Sequence, residues 1–195
     1  LIGSTSYMDN RNVKYKGNIE EPENLSLKYR SGESEFKLRS ENLFHLPFAH
    51  ITAGGNLEYA RYTNDTYQKL YTNTPVVQDY RTALGLMKWG LYATAVYESY
   101  NERFTASLGL RADANDYSNE MNNLINQLSP RLSLSYRLYK DIYLNGNAGR
   151  FYELPPYTTL GFKNNKDEYV NQTNGLRYIR SDQAGAGVEF RPASY

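Results

Sequence analysis

His45 and His50 bracket the stretch "HLPFAH", and two close imidazoles are half of a possible metal site. No third ligand lies nearby, so the pair reads as polar residues flanking a proline turn. "DANDYSNE" (Asp113–Glu120) gathers carboxylates that could offer oxygens to Ca²⁺. It lacks the Asp-Gly scaffold of an EF-hand and reads as a solvated loop. There is no cysteine, no Ser-His-Asp set at assignable spacing, and no glycine-rich loop before a helix. Enzyme activity, cofactors and metals are therefore not expected. What remains is binding chemistry. Arg111, Arg131, Arg137 and Arg150 present guanidinium forks suited to carboxylates on adjacent strands, to another domain, or to an anionic solute. Pairing with neighbours is the first role expected of them. Gly185 and Gly187 would leave a smooth wall where another backbone approaches. Tyr152, Tyr157, Phe162 and Tyr169 lie in or beside the longest polar loop, where aromatic rings could hold a solute.

The elements that must position these residues alternate with period two. In "PRLSLSYRL", Leu132, Leu134, Tyr136 and Leu138 take one face, and Arg131, Ser133, Ser135 and Arg137 the other. "FTASLGLRADA", "WGLYATAVYE", "ITAGGNLEY" and "AGAGVEF" repeat the pattern; "DIYLNGNAGRFY" follows it loosely. No sustained 3.6-residue period competes, so the chain is all-β. Candidate strands cover residues 1–8, 33–46, 49–64, 80–99, 104–117, 129–139, 142–152 and 177–191. Short links (His45–Phe48, Tyr100–Arg103, Tyr139–Asp141) alternate with long polar ones at 9–32, 65–79, 118–128 and 153–176. That sorting suits an antiparallel up-and-down barrel in an outer membrane better than a Greek-key sandwich.

Which face points inward decides the function. A soluble barrel would turn its polar face to bulk water and enrich it in Lys and Glu. Here that face favours Ser, Gly, Thr, Asn and Arg, and of nine lysines only Lys37 and Lys88 fall clearly inside the candidate strands. Each clean strand keeps its oily face free of charge over about five positions, as lipid demands. The chain carries 20 tyrosines, many near strand ends, where ring and hydroxyl suit the boundary between hydrocarbon and water. The net charge of +1 does not indicate a nucleic-acid partner. A transmembrane barrel with an outward oily face is the favoured reading. A lipocalin-like soluble barrel and a complete eight-stranded membrane barrel serving as anchor or adhesin stay open.

From Leu128 onward the wording is specific. "LSPRLSLSYRL", "GNAGRFYELPPYTTLGF" (Gly146–Phe162) and "LRYIRSDQAGAGVEFRP" (Leu176–Pro192) resemble the barrel of TonB-dependent outer-membrane receptors, in their nutrient-uptake branch. Before Leu128 the resemblance is one of strand and loop style. It implies a barrel of about 22 strands filled by a plug domain. It also implies import of a scarce solute (siderophore, glycan, peptide or vitamin) driven through the TonB complex, in the outer membrane of a Gram-negative bacterium. The arginines and glycines named above would then face the lumen and the plug. Residues 1–195 read as part of a single barrel domain, with neither plug nor TonB box. The start at Leu1 without a methionine reads as a mark of an internal piece, and so does the ending "RPASY", which puts Pro192 and Ser194 where the family's last strand alternates apolar residues, although Tyr195 is aromatic.

Overall fold

The computed structural model describes residues 1–71, 76–164 and 166–192; Ser194 and Tyr195 lie outside these residues. Eight strands form one sheet: β1 (Ile2–Tyr15), β2 (Leu25–Leu46), β3 (Ala49–Leu70), β4 (Val76–Glu98), β5 (Phe104–Asn115), β6 (Leu128–Tyr139), β7 (Ile142–Glu153) and β8 (Ile179–Phe190). Each pairs antiparallel with its sequence neighbour, in the order β1 to β8. Tight turns join β2–β3, β4–β5 and β6–β7 at one end, and the long β1–β2, β5–β6 and β7–β8 connections lie at the other. A self-contained eight-stranded barrel would also pair β1 with β8. No such ladder is present among the described residues, and the sheet is open.

Register lines up the oily positions across strands. Phe36, Tyr59 and Met87 stand opposite one another on β2, β3 and β4, and so do Leu38, Leu57 and Trp89. Leu108 faces Leu132, and Ala106 faces Leu134. This face is bare: Leu38, Leu57, Leu91, Leu108, Leu132 and Leu138 remain 41–62% exposed. The leucines do not meet in a dry centre, which corrects the lipocalin-like alternative. So much exposed apolar surface is what a sheet solvated by lipid presents.

Strands β5 to β8 have 12 residues each, close to the roughly 9–11 that cross a hydrocarbon layer. β2 and β3 have 22 and β4 has 23, so these three continue well beyond it. In that extension the faces exchange polarity. Ala60, Tyr62, Leu84 and Leu86, on the face that is polar below, are 8% exposed or less. Arg61, Asp65 and Arg81, on the face that is oily below, are exposed. Water replaces lipid outside, so the apolar residues turn inward there and the charges turn out. The same change explains why the expected loops at 9–32 and 65–79 are mostly strand. Once lipid no longer demands a charge-free face, backbone pairing holds the strand without clean alternation.

The exchanged patch is covered by two connections. One is residues 116–127, carrying the short helix α1 (Asn119–Asn122). The other is residues 154–178, carrying α2 (Tyr157–Leu160) and α3 (Val170–Thr173). Tyr117, Met121 and Leu160 complete a core with Ala60, Tyr62, Leu84 and Leu86. An arginine at Leu108 or Leu132 is expected to cost about 2–4 kcal/mol of insertion, and an arginine at the neighbouring Ser133 far less. The fraction of full-length protein migrating as a heat-modifiable, folded species in outer-membrane extracts measures the difference.

Candidate functional site

The connection after β7 forms a cap over the inward face. Pro155 and Pro156 end the strand, since neither can donate to a ladder. α2 then drops Leu160 into the core, fully buried. Gly161 makes the closest approach. A Cβ there would stand 2.7 Å from Thr82 Cγ2 and 3.0 Å from the Tyr62 ring. The Thr82 hydroxyl donates to the Gly161 carbonyl at 2.5 Å. Tyr157 stacks on Tyr62 with centroids 5.9 Å apart, and Phe162 meets Tyr80 edge-on at 5.6 Å. The Tyr169 hydroxyl donates to the Ala83 carbonyl at 3.0 Å, under the Lys163 ammonium. The two connections are tied together as well: Tyr117 donates to the Leu160 carbonyl at 2.8 Å, and Gln172 donates to the Tyr117 carbonyl at 2.5 Å. Burial pushes the Tyr117 hydroxyl up to about 12. Burial also pushes Tyr178 up to about 12, against the opposing effect of the Asn115 amide that donates to it at 2.8 Å.

Beneath the cap, at the level where the faces exchange, lies a layer of charge. Lys88 on β4 pairs with Glu58 on β3 and reaches Glu35 on β2 at 3.5 Å. Lys37 sits on Glu35 at 2.6 Å. The Lys88, Glu35 and Glu58 side chains are only 13–19% exposed. Charges so far out of water persist only when paired and hydrogen-bonded. Tyr157 supplies part of that pairing: Lys88 donates to its hydroxyl at 2.7 Å, and the hydroxyl donates to Glu35 Oε1 at 2.6 Å. Burial first, and this carboxylate second, hold Tyr157 in its neutral form well above the ordinary tyrosine range. The cap is thus latched onto the wall through one phenol.

Further down the same face, the Tyr92 ring lies between Arg39 and Arg111, at 5.1 and 6.0 Å from their guanidinium carbons. Its hydroxyl accepts from Arg39 at 3.0 Å and donates to Glu41 at 2.6 Å. Gly54 gives it room, because a Cβ there would come within 2.7 Å of the Tyr92 hydroxyl. Arg111 grips Asp113 with two contacts of 2.6 Å. This is an inward wall of arginine, tyrosine and carboxylate that can hold a polar surface or an anion.

Residues 3–195 match the family described as TonB dependent receptor-like, beta-barrel. The chain belongs to that family. Among solved structures, this TonB-dependent receptor barrel is similar to a mutant of the ferric enterobactin receptor of Pseudomonas aeruginosa. The identity is 19% and the TM-score 0.51, over 81% of this chain and 24% of that one. A second mutant of that receptor, in complex with enterobactin, is 18% identical with a TM-score of 0.46, over 81% of this chain and 23% of that one. The likeness is one of fold, and this chain spans about a quarter of that receptor's length. No curated protein matches it.

Within this receptor barrel, Arg111, Arg131 and Arg137 share the face of Ser133 and Ser135. Arg131 lies over the Phe151 ring at 4.5 Å, and Arg137 donates to the Asn101 carbonyl in the β4–β5 turn at 3.3 Å. Arg150 corrects its expectation. It pairs in register with Asp182 and shares the outward parity of Leu144 and Ala148. It is bonded to Asp182 at 2.7 Å on that outward face. The loose alternation of "DIYLNGNAGRFY" concealed its side. Tyr152 is outward as well, opposite Arg180. Gly185 and Gly187 share the inward parity of Asn147 and Asn145. His45 and His50 face each other edge-on at 5.0 Å. The loop carboxylates are engaged: Asp116 accepts from the Met87 amide at 2.9 Å, and Glu120 pairs with Arg177 at 3.1 Å. Lys37 and Lys88 stand out in the sequence as the lysines inside the candidate strands, but the pairing of Lys88 with Glu35 and Glu58, and the close approach at Gly161, join residues far apart and carry no local signal. Leu84 and Leu86, at the parity opposite Trp89 and Leu91, carried the signal that the faces exchange.

Gly161→Val is expected to unseat the cap while leaving the membrane-embedded strands paired, at a cost of about 1–3 kcal/mol from overpacking. Faster amide exchange confined to residues 154–178 would show it. Raised tyrosine pKa values add stability that is complete below the unfolded value of about 10 and is lost as pH rises through about 12. Proteolysis of the cap is therefore expected to accelerate between these pH values, and Tyr117→Phe should flatten that profile.

Proposed function

We propose that this chain is part of the wall of an outer-membrane receptor that imports a scarce solute, with residues 154–178 forming part of its mouth. The observation that supports the reading best is the cap latched to the inward wall through Tyr157, Lys88 and Glu35, above rows of lipid-facing leucines. A cap on the inward face leaves the lumenal wall below it facing whatever fills the barrel. In the parent protein that filling is a plug domain, which Arg111, Arg131, Arg137, Gly185 and Gly187 would meet. The TonB complex supplies the energy for uptake, and outer-membrane lipid surrounds the oily face. The solute is a siderophore, glycan, peptide or vitamin. Of the expected solute contacts, Tyr157, Phe162 and Tyr169 act through the shape of the cap, since each is already packed on the β3–β4 hairpin. Tyr152 stands apart, on the outward side of β7.

Uptake of a panel of labelled siderophores, glycans, peptides and vitamins by cells carrying the full-length receptor tests this. One solute is expected to accumulate, and deletion of the inner-membrane energiser should abolish that accumulation while binding persists. Accumulation that survives the deletion would sink the reading. Tyr157→Phe loses its bonds to Glu35 and Lys88, each to a charged group and worth about 1.5–3 kcal/mol. The variant is expected to assemble normally and take up the solute at least several-fold less efficiently.

A further inference from the structure

The outward face of β1–β4, just beyond the lipid-facing rows, carries an arrangement that neither the cap nor the lumenal wall uses. Above the row Phe36–Tyr59–Met87, the register places Tyr7, Ser34, Arg61 and Gly85 side by side. The next outward row is Asp9, Gly32, Thr63 and Ala83. The row beyond that is Arg11, Arg30, Asp65 and Arg81. Small side chains thus make a shallow floor between Arg61 on one side and the upper arginine row on the other. Glycine matters to that floor: a Cβ at Gly32 would press on Thr63 Oγ1 at 3.1 Å, and one at Gly85 on the Tyr59 hydroxyl at 3.2 Å.

The charges around this basin do not balance. Four guanidinium groups face two carboxylates, and the next row beyond (Val13, Lys28, Tyr67, Asp79) adds no net charge. Arg11 and Arg30 stand directly opposite each other on neighbouring strands, a placement that is repulsive unless an anion lies between them. Asp9 reaches Arg30 only at 3.9 Å, and Arg81 meets Asp65 at 3.3 Å. The Arg30 and Arg81 side chains are 70% and 83% exposed, so their forks are open to an external partner. Planar guanidinium forks match phosphate oxygens in pairs.

We propose that this basin docks the phosphorylated headgroup of an outer-leaflet lipid. The source is lipid because the basin continues the lipid-facing surface: its floor lies directly above Phe36, Tyr59 and Met87, which are all exposed on that side. A headgroup held there would have its acyl chains against those rows. Tyr7, 73% exposed on the same face as Arg61, adds a ring and a hydroxyl at the boundary. The inference rests on the outer-membrane reading, and it needs neither import nor a particular solute.

The test uses the full-length receptor in neutral detergent micelles, titrated with a bisphosphorylated diglucosamine glycolipid. Parallel arms use its dephosphorylated counterpart and inorganic phosphate. The bisphosphorylated lipid is expected to raise the thermal midpoint of the wild-type barrel at the lowest concentration. R30Q, R61Q and R81Q should each weaken that response about fivefold, as expected for one basic residue near an anionic lipid surface. These side chains are exposed and outside the core, and heat-modifiable migration confirms that each variant is assembled. An equal response to the dephosphorylated lipid, an equal response to inorganic phosphate, or unchanged affinity in the variants overturns the proposal. A receptor that binds the glycolipid normally but accumulates no solute leaves this inference standing and removes the import reading instead.

Discussion

In a hydrocarbon layer a peptide group without a partner costs several kcal/mol, and no water is present to supply one. Neighbouring strands must therefore satisfy each other completely, and most other features of this molecule follow from that requirement. The ladders run from β1 to β8 between immediate sequence neighbours, and three tight turns close them at one end. Pairing fixes the side-chain direction with a period of two, so every strand in lipid offers one face to acyl chains and one to the barrel interior. The charge-free rows through Leu38, Leu57 and Trp89, and through Leu108 and Leu132, are the visible consequence.

Beyond the hydrocarbon the constraint relaxes on one side of the sheet only. Water meets the outer face of β2–β4, while the inner face meets the cap. The polarity of the two faces exchanges within a few residues, between Tyr59 and Arg61 on β3 and between Met87 and Leu86 on β4. Ala60, Tyr62, Leu84 and Leu86 then form a conventional core with Leu160, Met121 and Tyr117. The charge layer of Lys88, Glu35 and Glu58 lies where the lumenal wall gives way to that core. Tyr157 fits this boundary because it is amphipathic: its ring stacks on Tyr62 while its hydroxyl completes the ion pairs. Gly161 follows because no larger residue lets the cap backbone come so near Thr82. The arginine basin on the opposite face is the outward product of the same exchange.

Strand existence was legible from alternation, and all eight expected strands are present. Their lengths were not: β1 runs on to Tyr15, β2 begins at Leu25, and β3 and β4 continue to Leu70 and from Val76. In those stretches Asn, Asp, Lys and Thr resemble loop composition, because strand held by pairing in water needs no oily face. Clean alternation shows the side of Arg111, Arg131 and Arg137. The looser pattern around Arg150 does not show the outward side that register gives it. The packing of Tyr157, Phe162 and Tyr169 on β3 and β4 joins residues far apart in the chain, so the aromatic content of the loop carries no sign of it.

The all-β class, the up-and-down order, the oily face and the family resemblance from Leu128 onward are all written in the order of residues along the chain. These are local properties, carried by residues one or two positions apart and by contiguous words. The tertiary structure decided what depends on residues far apart in the chain. It brought Tyr157 to Glu35 across 122 positions and Thr82 to Gly161 across 79, and it aligned Arg11, Arg30 and Arg81 in one row. Register and loop docking set those contacts. Both are chosen by the summed energy of the whole sheet, which no short stretch of sequence encodes.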